Sequence, residues 1–139
     1  MTIKYNNVFI EDAYTICGNY ENDGPLSKYF DKKYEKDLYF GEKSWEQAEV
    51  HLLKEANTNI LKKNKLKEED IDLLISGDLQ NQIAASNYMA REFNIPFLGI
   101  FEACSTSGEG LAIGSTYIEG GFAKRILVST SSHNMAAEK

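Results

Sequence analysis

The sequence is short of cysteine, histidine and proline, with two of each, and it has no long apolar run. Two cysteines, Cys17 and Cys104, make no disulfide framework, so a reducing compartment is the default. So few cysteines and histidines also leave a zinc-finger reading without its ligands. No run approaches the roughly 18 apolar residues of a membrane span, and the start MTIKYNN lacks a signal-peptide core. Positive charge is in deficit: 15 Lys and Arg stand against 21 Asp and Glu, a net charge of −6. This argues against sequence-independent nucleic-acid binding, which needs a cationic surface, and against a polybasic membrane anchor. What is present is a soluble globular composition, 42% apolar and 26% charged over 139 residues, enough for one domain.

The charge is unevenly spread. Residues 1–70 carry 25 charged side chains and residues 71–139 carry 11. Charged groups are rarely buried without partners, so the second half reads as interior and the first as its jacket. Residues 3–17 hold β-branched and aromatic residues in short runs and predict one strand or a bent pair. Residues 18–43 are rich in turn formers and predict a long excursion with one helical turn near Leu26–Phe30. Excursions of this length often carry a binding surface.

Ser44 and Gln47 form a capping-box pattern that opens a helix. Trp45, Ala48, Leu52, Leu53, Ala56 and Ile60 give it one apolar stripe, with Glu and Lys on the face turned to water. Lys62, Lys63, Lys65 and Lys67 close it as a solvated, dipole-compatible end. His51 reads as a surface residue on the solvated side. Three strands follow, at 71–75, 97–101 and 125–131, separated by helices over 78–93 (after a loop) and 104–121. This alternation predicts βαβ units, a parallel sheet and helices on both faces. Right-handed crossovers put the strand C-termini on one edge, where ligands bind in open α/β sheets.

The stretch CSTSGEGLAIGSTYIEGG is poor in charge and dense in small residues. Its apolar residues lie on several faces, which predicts a helix buried on more than one side. Gly110 and Gly114 leave a ridge for close approach of another backbone. Cys104 follows an apolar strand and opens this helix. A helix N-terminus lowers a thiol pKa and supplies N–H groups for an oxyanion, which suits an acyl-accepting nucleophile. The other reading is a small buried hydrophobe, the usual fate of a free cysteine. Cys17 has no such setting and reads as structural.

The strand, Ala103-Cys104-Ser105-Thr106-Ser107-Gly108 and the glycine-rich helix resemble the nucleophile elbow of the thiolase-like superfamily. An ordered set of further motifs covers nearly the whole chain: Asp23-Gly24-Pro25-Leu26, Lys43-Ser44-Trp45-Glu46, Asp70-Ile71-Asp72-Leu73-Leu74, Gly77-Asp78-Leu79, Asn81-Gln82, Gly120-Gly121-Phe122-Ala123-Lys124-Arg125 and Thr130-Ser131-Ser132-His133-Asn134. Together they resemble the stage V sporulation protein AD family of endospore-forming Firmicutes.

The resemblance implies an α/β, thiolase-like fold: a parallel-rich mixed sheet covered by helices on both faces, one incomplete half of an αβαβα layered fold. Residues 1–139 would form the N-terminal half-domain, truncated before its last strand and without the second half. The second half would supply the His and Asn of condensing enzymes, and His133 is not at the catalytic histidine position, so the resemblance points away from catalysis and implies no cofactor. It implies binding of dipicolinic acid, pyridine-2,6-dicarboxylate, during uptake into the forespore. It also implies a peripheral location at the cytoplasmic face of the forespore inner membrane, beside membrane proteins of the same operon, and a homodimer through the strand at 97–101.

For that ligand the site residues are Cys104, Ser105, Thr106, Asp78, Asn81 and His133. Amides and hydroxyls at 104–106 favour an anion. Asp78 either contacts calcium arriving with the chelate or caps the following helix. Two other readings stand beside it: an acyltransferase using Cys104 as nucleophile, and a fragment that is inactive alone and pairs through exposed apolar surface.

Overall fold

A computed structural model describes residues 2–137. The elements are β1 (Ile16–Cys17), α1 (Asn19–Asn22), β2 (Lys32–Lys33), α2 (Trp45–Lys63), β3 (Leu73–Gly77), α3 (Ala84–Ala90), β4 (Phe97–Gly99), α4 (Thr106–Glu119), β5 (Ile126–Thr130) and α5 (Asn134–Ala137). The charge-poor second half supplies a three-stranded parallel sheet in the order β4-β3-β5. β1 and β2 form a separate parallel pair.

Alternation along the strands divides the core into two faces. Leu74 and Leu127 join Leu53, Leu61, Met89 and Ile95 on the side of α2 and α3. Ile75, Ile126 and Val128 face α4, where they meet Gly110 and Gly114. A Cβ on Gly110 would lie 2.6 Å from Val128 Cγ1, so this helix sits on the sheet only because that position has no side chain.

α2 starts where the sequence places it. The Ser44 hydroxyl accepts from the Gln47 amide at 3.2 Å. Ser44→Ala is expected to lower stability by about 1 kcal/mol, read as a shift in denaturant midpoint with unchanged slope. The helix end is less free than the lysine run suggests. Lys63 pairs with Asp12 at 2.9 Å and Asn64 donates to the same carboxylate. Those hydrogen bonds, with that of the Ala13 amide, hold the Asp12 carboxyl at about 2, so this tie persists at all but strongly acidic pH.

Three expectations need correction. Residues 3–17 form no long strand: only Ile16–Cys17 pair, and Ile3, Phe9 and Ile10 are exposed. A strand requires a neighbouring main chain to take its N–H and C=O groups, and residues 3–15 find one among the described residues only where Thr15 meets Lys32. The side chains of Glu119, Asp31 and Lys63 instead take the amides of Asn6, Asn7 and Thr15 and the Ala13 carbonyl. The polar residues of α2 are not all on its solvated face: Glu49 and Asn57 lie within the buried stripe. Finally, α4 is buried on one side only. Thr106, Gly110 and Gly114 are buried against the sheet, while Leu111 and Tyr117 are exposed, and the outer side of the helix meets the hydrogen bonds of Tyr5, Asn6 and Asn7 at Ala112, Thr116 and Glu119. The short turn at Ser27–Tyr29, by contrast, falls within the expected span.

Candidate functional site

The C-terminal ends of β3, β4 and β5 meet at one edge, and the first two turns there are locked together. Gly77 ends β3. A Cβ at this position would stand 2.2 Å from the Ile100 carbonyl oxygen and 2.6 Å from Thr106 Cγ2. Glycine is therefore what lets the turn before α4 rest against the end of β3. Asp78 follows and is fully buried. Its Oδ1 accepts from the Gln80 amide at 2.9 Å and its Oδ2 from the Ser86 amide at 2.7 Å. It braces its own loop and the first turn of α3, although the N-cap residue of that helix is Ile83 and not Asp78, and no exposed oxygen is left for a calcium ion. Asn81 is exposed beside it. Gln82 and Ile83 take left-handed φ of 57° and 48°, conformations that β-branched residues rarely adopt.

The second turn carries the thiol. Cys104 lies in a single turn, Ala103–Ser105, just before α4 rather than inside the helix. Ala103 has φ of 46°, a third strained residue on this edge. Cys104 is exposed, so the buried-hydrophobe alternative does not hold in this chain. Two of the expected hydroxyl donors are engaged. Thr106 Oγ1 donates to the Ala103 carbonyl at 2.8 Å and accepts from the Glu102 amide at 3.2 Å. Ser105 Oγ donates to the Glu102 carbonyl at 2.9 Å. They hold the bend that presents Cys104. Glu109 adds a carboxylate in the first turn of α4, with Oε2 buried and unpartnered among the described residues.

The third part of the edge was not expected. Glu49, from α2, is completely buried and accepts from Gln80 Nε2 and from Ser131 Oγ, both at 2.8 Å. It thereby joins the loop after β3 to the loop after β5. Burial raises its carboxyl above the ordinary glutamate range, and nearby Asp78 adds to this. The hydrogen bonds from Gln80 and Ser131 and the proximity of His133 act the other way. Below it, Ser129 Oγ, Ser76 Oγ and Ser86 Oγ form a hydroxyl chain with steps of 3.1 and 3.3 Å.

His133 is buried between Phe40 and Trp45, with ring centroids at 5.9 and 5.4 Å. Its Nε2 donates to the Leu38 carbonyl at 2.9 Å. Nδ1 is buried and has no partner among the described residues. His51 stands apart. It is half-buried between Glu42 and Tyr34 rather than freely solvated. Cys17 is buried as expected, and burial raises its thiol pKa. The described residues contain no group of three or more His, Cys, Asp or Glu placed to hold a metal ion.

Glu49 had a signal in the sequence. It stands four residues after Trp45 and four before Leu53, inside the apolar stripe. A carboxylate within such a stripe must find partners, and the hydroxyl- and amide-bearing loops at the strand ends provide them.

The family model for stage V sporulation protein AD matches residues 1–139. Stage V sporulation protein AD of Bacillus subtilis (strain 168) is 50% identical over 132 residues, covering 95% of this chain and 39% of that protein. The chain thus spans well under half the length of this relative. The crystal structure of 3-oxoacyl-[acyl-carrier-protein] synthase III from Aquifex aeolicus VF5 superimposes with a TM-score of 0.56 over 62% of this chain and 30% of that one, at 23% identity, which shows a shared thiolase-like fold. The elbow before α4, the parallel β4-β3-β5 sheet and the match along the whole chain agree: this chain belongs to the stage V sporulation protein AD family.

Proposed function

We propose that this edge of the sheet binds dipicolinate for uptake into the forespore, without catalysis. One observation carries the reading beyond family membership. The Ala103–Ser105 turn leads directly into α4, whose first residue, Thr106, rests against Gly77, so the exposed Cys104 stands at the helix N-terminus, at the same strand-end edge as the exposed Asn81 of the loop after β3. The first amides of a helix favour a carboxylate. Glu109 and the buried Glu49 and Asp78 oppose a bare dianion, which makes the calcium chelate the form to test.

The test is calorimetry of a full-length relative with dipicolinate, with and without calcium. Replacing the residues that match Asn81 and Cys104 by alanine is expected to weaken binding by about tenfold in total. Unchanged affinity in both variants removes the ligand from this edge. Equal affinity with and without calcium removes the metal from the reading.

The exposed thiol on a strained turn also supports a second reading, acyl transfer through Cys104. Mass spectrometry after incubation with acyl-CoA separates the two, since a binding protein acquires no acyl adduct. Within the first reading the protein works at the cytoplasmic face of the forespore inner membrane beside membrane-embedded partners and dimerises through β4. Among the described residues the outer edge of β4 is unpaired, and the neighbouring Phe101 is exposed, which supports such pairing. No helix among the described residues is long and apolar enough to cross a membrane.

A further inference from the structure

His51 of α2 faces two oxygen atoms that both require a hydrogen from it. Its Nδ1 lies 3.0 Å from Glu42 Oε1 and its Nε2 lies 3.3 Å from Tyr34 Oη. A carboxylate only accepts. Tyr34 has a single hydroxyl hydrogen, and it goes to Glu55 Oε2 at 2.7 Å. Lys32 holds the other oxygen of Glu55. Burial raises the Tyr34 hydroxyl above its ordinary range, so the hydrogen stays on it. Burial also raises Glu55, but the bonds from Lys32 and Tyr34 outweigh this and keep its carboxyl below the ordinary glutamate range. Toward His51 the Tyr34 oxygen is therefore an acceptor.

A neutral imidazole has one N–H and serves one of these acceptors, whereas the imidazolium has two and serves both. Charge argues the same way. The groups that face the ring are Glu42 from the loop before α2, Tyr34 from the segment after β2 and, through Tyr34, Glu55 of α2 and Lys32 of β2. Two carboxylates and one ammonium leave this cluster with one negative charge, which a proton on His51 cancels.

Tyr34 and Glu42 are the two ends of one loop, so both ends meet on one imidazole. The middle of that loop holds His133: the Leu38 carbonyl accepts from its Nε2 at 2.9 Å, and the Phe40 ring packs on it at 5.9 Å. Phe40 is buried with a φ of 53°, a left-handed conformation that persists only where the surroundings enforce it. Within the loop, Asp37 ties the amides of Tyr39 and Gly41, and Tyr39 stacks on Trp45 at 3.7 Å.

We propose that His51 is a proton-operated clasp: protonated, it closes the 34–42 loop onto α2 and fixes His133 at the strand-end edge; neutral, it releases one end and loosens that residue. Closing takes up a proton. Closure is therefore favoured in mildly acidic solution and fades as pH rises through the range where histidine loses its charge. The clasp acts whatever ligand the edge holds.

The reporter is the amide of Glu42, bonded to the Tyr39 carbonyl at 2.9 Å, and the control is the amide of Leu74, bonded to the Pro96 carbonyl at 2.8 Å inside the sheet. Hydrogen-exchange protection factors of the 139-residue chain are compared at about pH 5.5 and about pH 8, on either side of the histidine range. Glu42 protection relative to Leu74 is expected to fall about fivefold at the higher pH, a modest change because the clasp groups are half-exposed. Acrylamide quenching of Trp45, the sole tryptophan and 5.4 Å from the His133 ring, rises in step. His51→Gln cannot gain the proton and gives a ratio independent of pH. Glu42→Gln brings a donor of its own, so its amide serves a neutral Nδ1 while the Nε2 hydrogen serves Tyr34, and the loop stays protected at the higher pH. The proposal is overturned if the wild-type ratio is the same at both pH values, if Trp45 quenching does not follow it, if His51→Gln keeps the wild-type change, or if Glu42→Gln loosens at the higher pH as the wild type does.

Discussion

Gly77→Ala is expected to unseat the elbow and with it the candidate site. A methyl group here overlaps the Ile100 carbonyl oxygen at 2.2 Å and Thr106 Cγ2 at 2.6 Å. The first contact is to main chain at the end of β4 and cannot be relieved by a rotamer change. Either β4 shifts or the Ala103–Ser105 turn lifts from β3. Overpacking of this kind costs about 1–3 kcal/mol, and a main-chain contact this close places it at or above the upper end. The measurement is a denaturant midpoint together with the alkylation rate of Cys104, which reports on the turn. Gly41→Ala is the control: nothing lies within 4 Å of its Cβ, so it probes only the φ of 83°. An unchanged midpoint and thiol rate in Gly77→Ala would mean that the two turns are not locked.

Glu49→Ala is expected to be the second large effect. It strands the buried Gln80 Nε2, at about 1–3 kcal/mol for a buried group left unpaired, and removes the partner of the half-buried Ser131 Oγ at a smaller cost. Glu49→Gln should recover most of this, because its carbonyl accepts from Gln80 while its amide donates to the rotatable Ser131 hydroxyl.

Both variants also lose the pH dependence that the Glu49 carboxyl confers on the wild type. Burial raises the Glu49 carboxyl above its ordinary value of 4.5, so the folded chain binds this proton more tightly than the unfolded chain does. The contribution is therefore most favourable below pH 4.5, declines as pH rises from 4.5 to the raised folded value, and is level above it. Asp12, Asp31 and Asp72 have lowered values and give the opposite slope at lower pH. The relevant measurement is thus the difference in unfolding free energy between wild type and Glu49→Gln across mildly acidic pH. A flat difference would show that Glu49 is ionised as easily in the fold as outside it.

The three core strands, the helices between them and the Ser44 cap were legible because each is a local pattern: an apolar run, a helical stripe, a hydroxyl three residues before the amide that donates to it. The elbow was legible as a motif, yet the roles of its side chains were not. Ser105 and Thr106 read as donors to a ligand, and in the fold their hydroxyls hold the bend. Asp78 allowed two readings, and the two amides on its oxygens decide for the brace. The segment at 3–15 misled for a related reason. Its residues favour strand, but pairing depends on a neighbouring main chain, and among the described residues one reaches it only at Thr15.

By itself, then, the sequence determined the order of strands and helices, the side of α2 that meets the sheet, and the family. Those features follow from periodicity and short motifs, which act over a few residues. Only the tertiary structure decided that Glu49 joins two loops, that Gly77 seats the elbow, that His133 keeps one ring nitrogen unpaired in an aromatic box, and that β5 borders an open cleft. Each of these depends on groups far apart in the chain meeting at one place, where burial and unmet hydrogen-bonding capacity, not local preference, fix what a residue does.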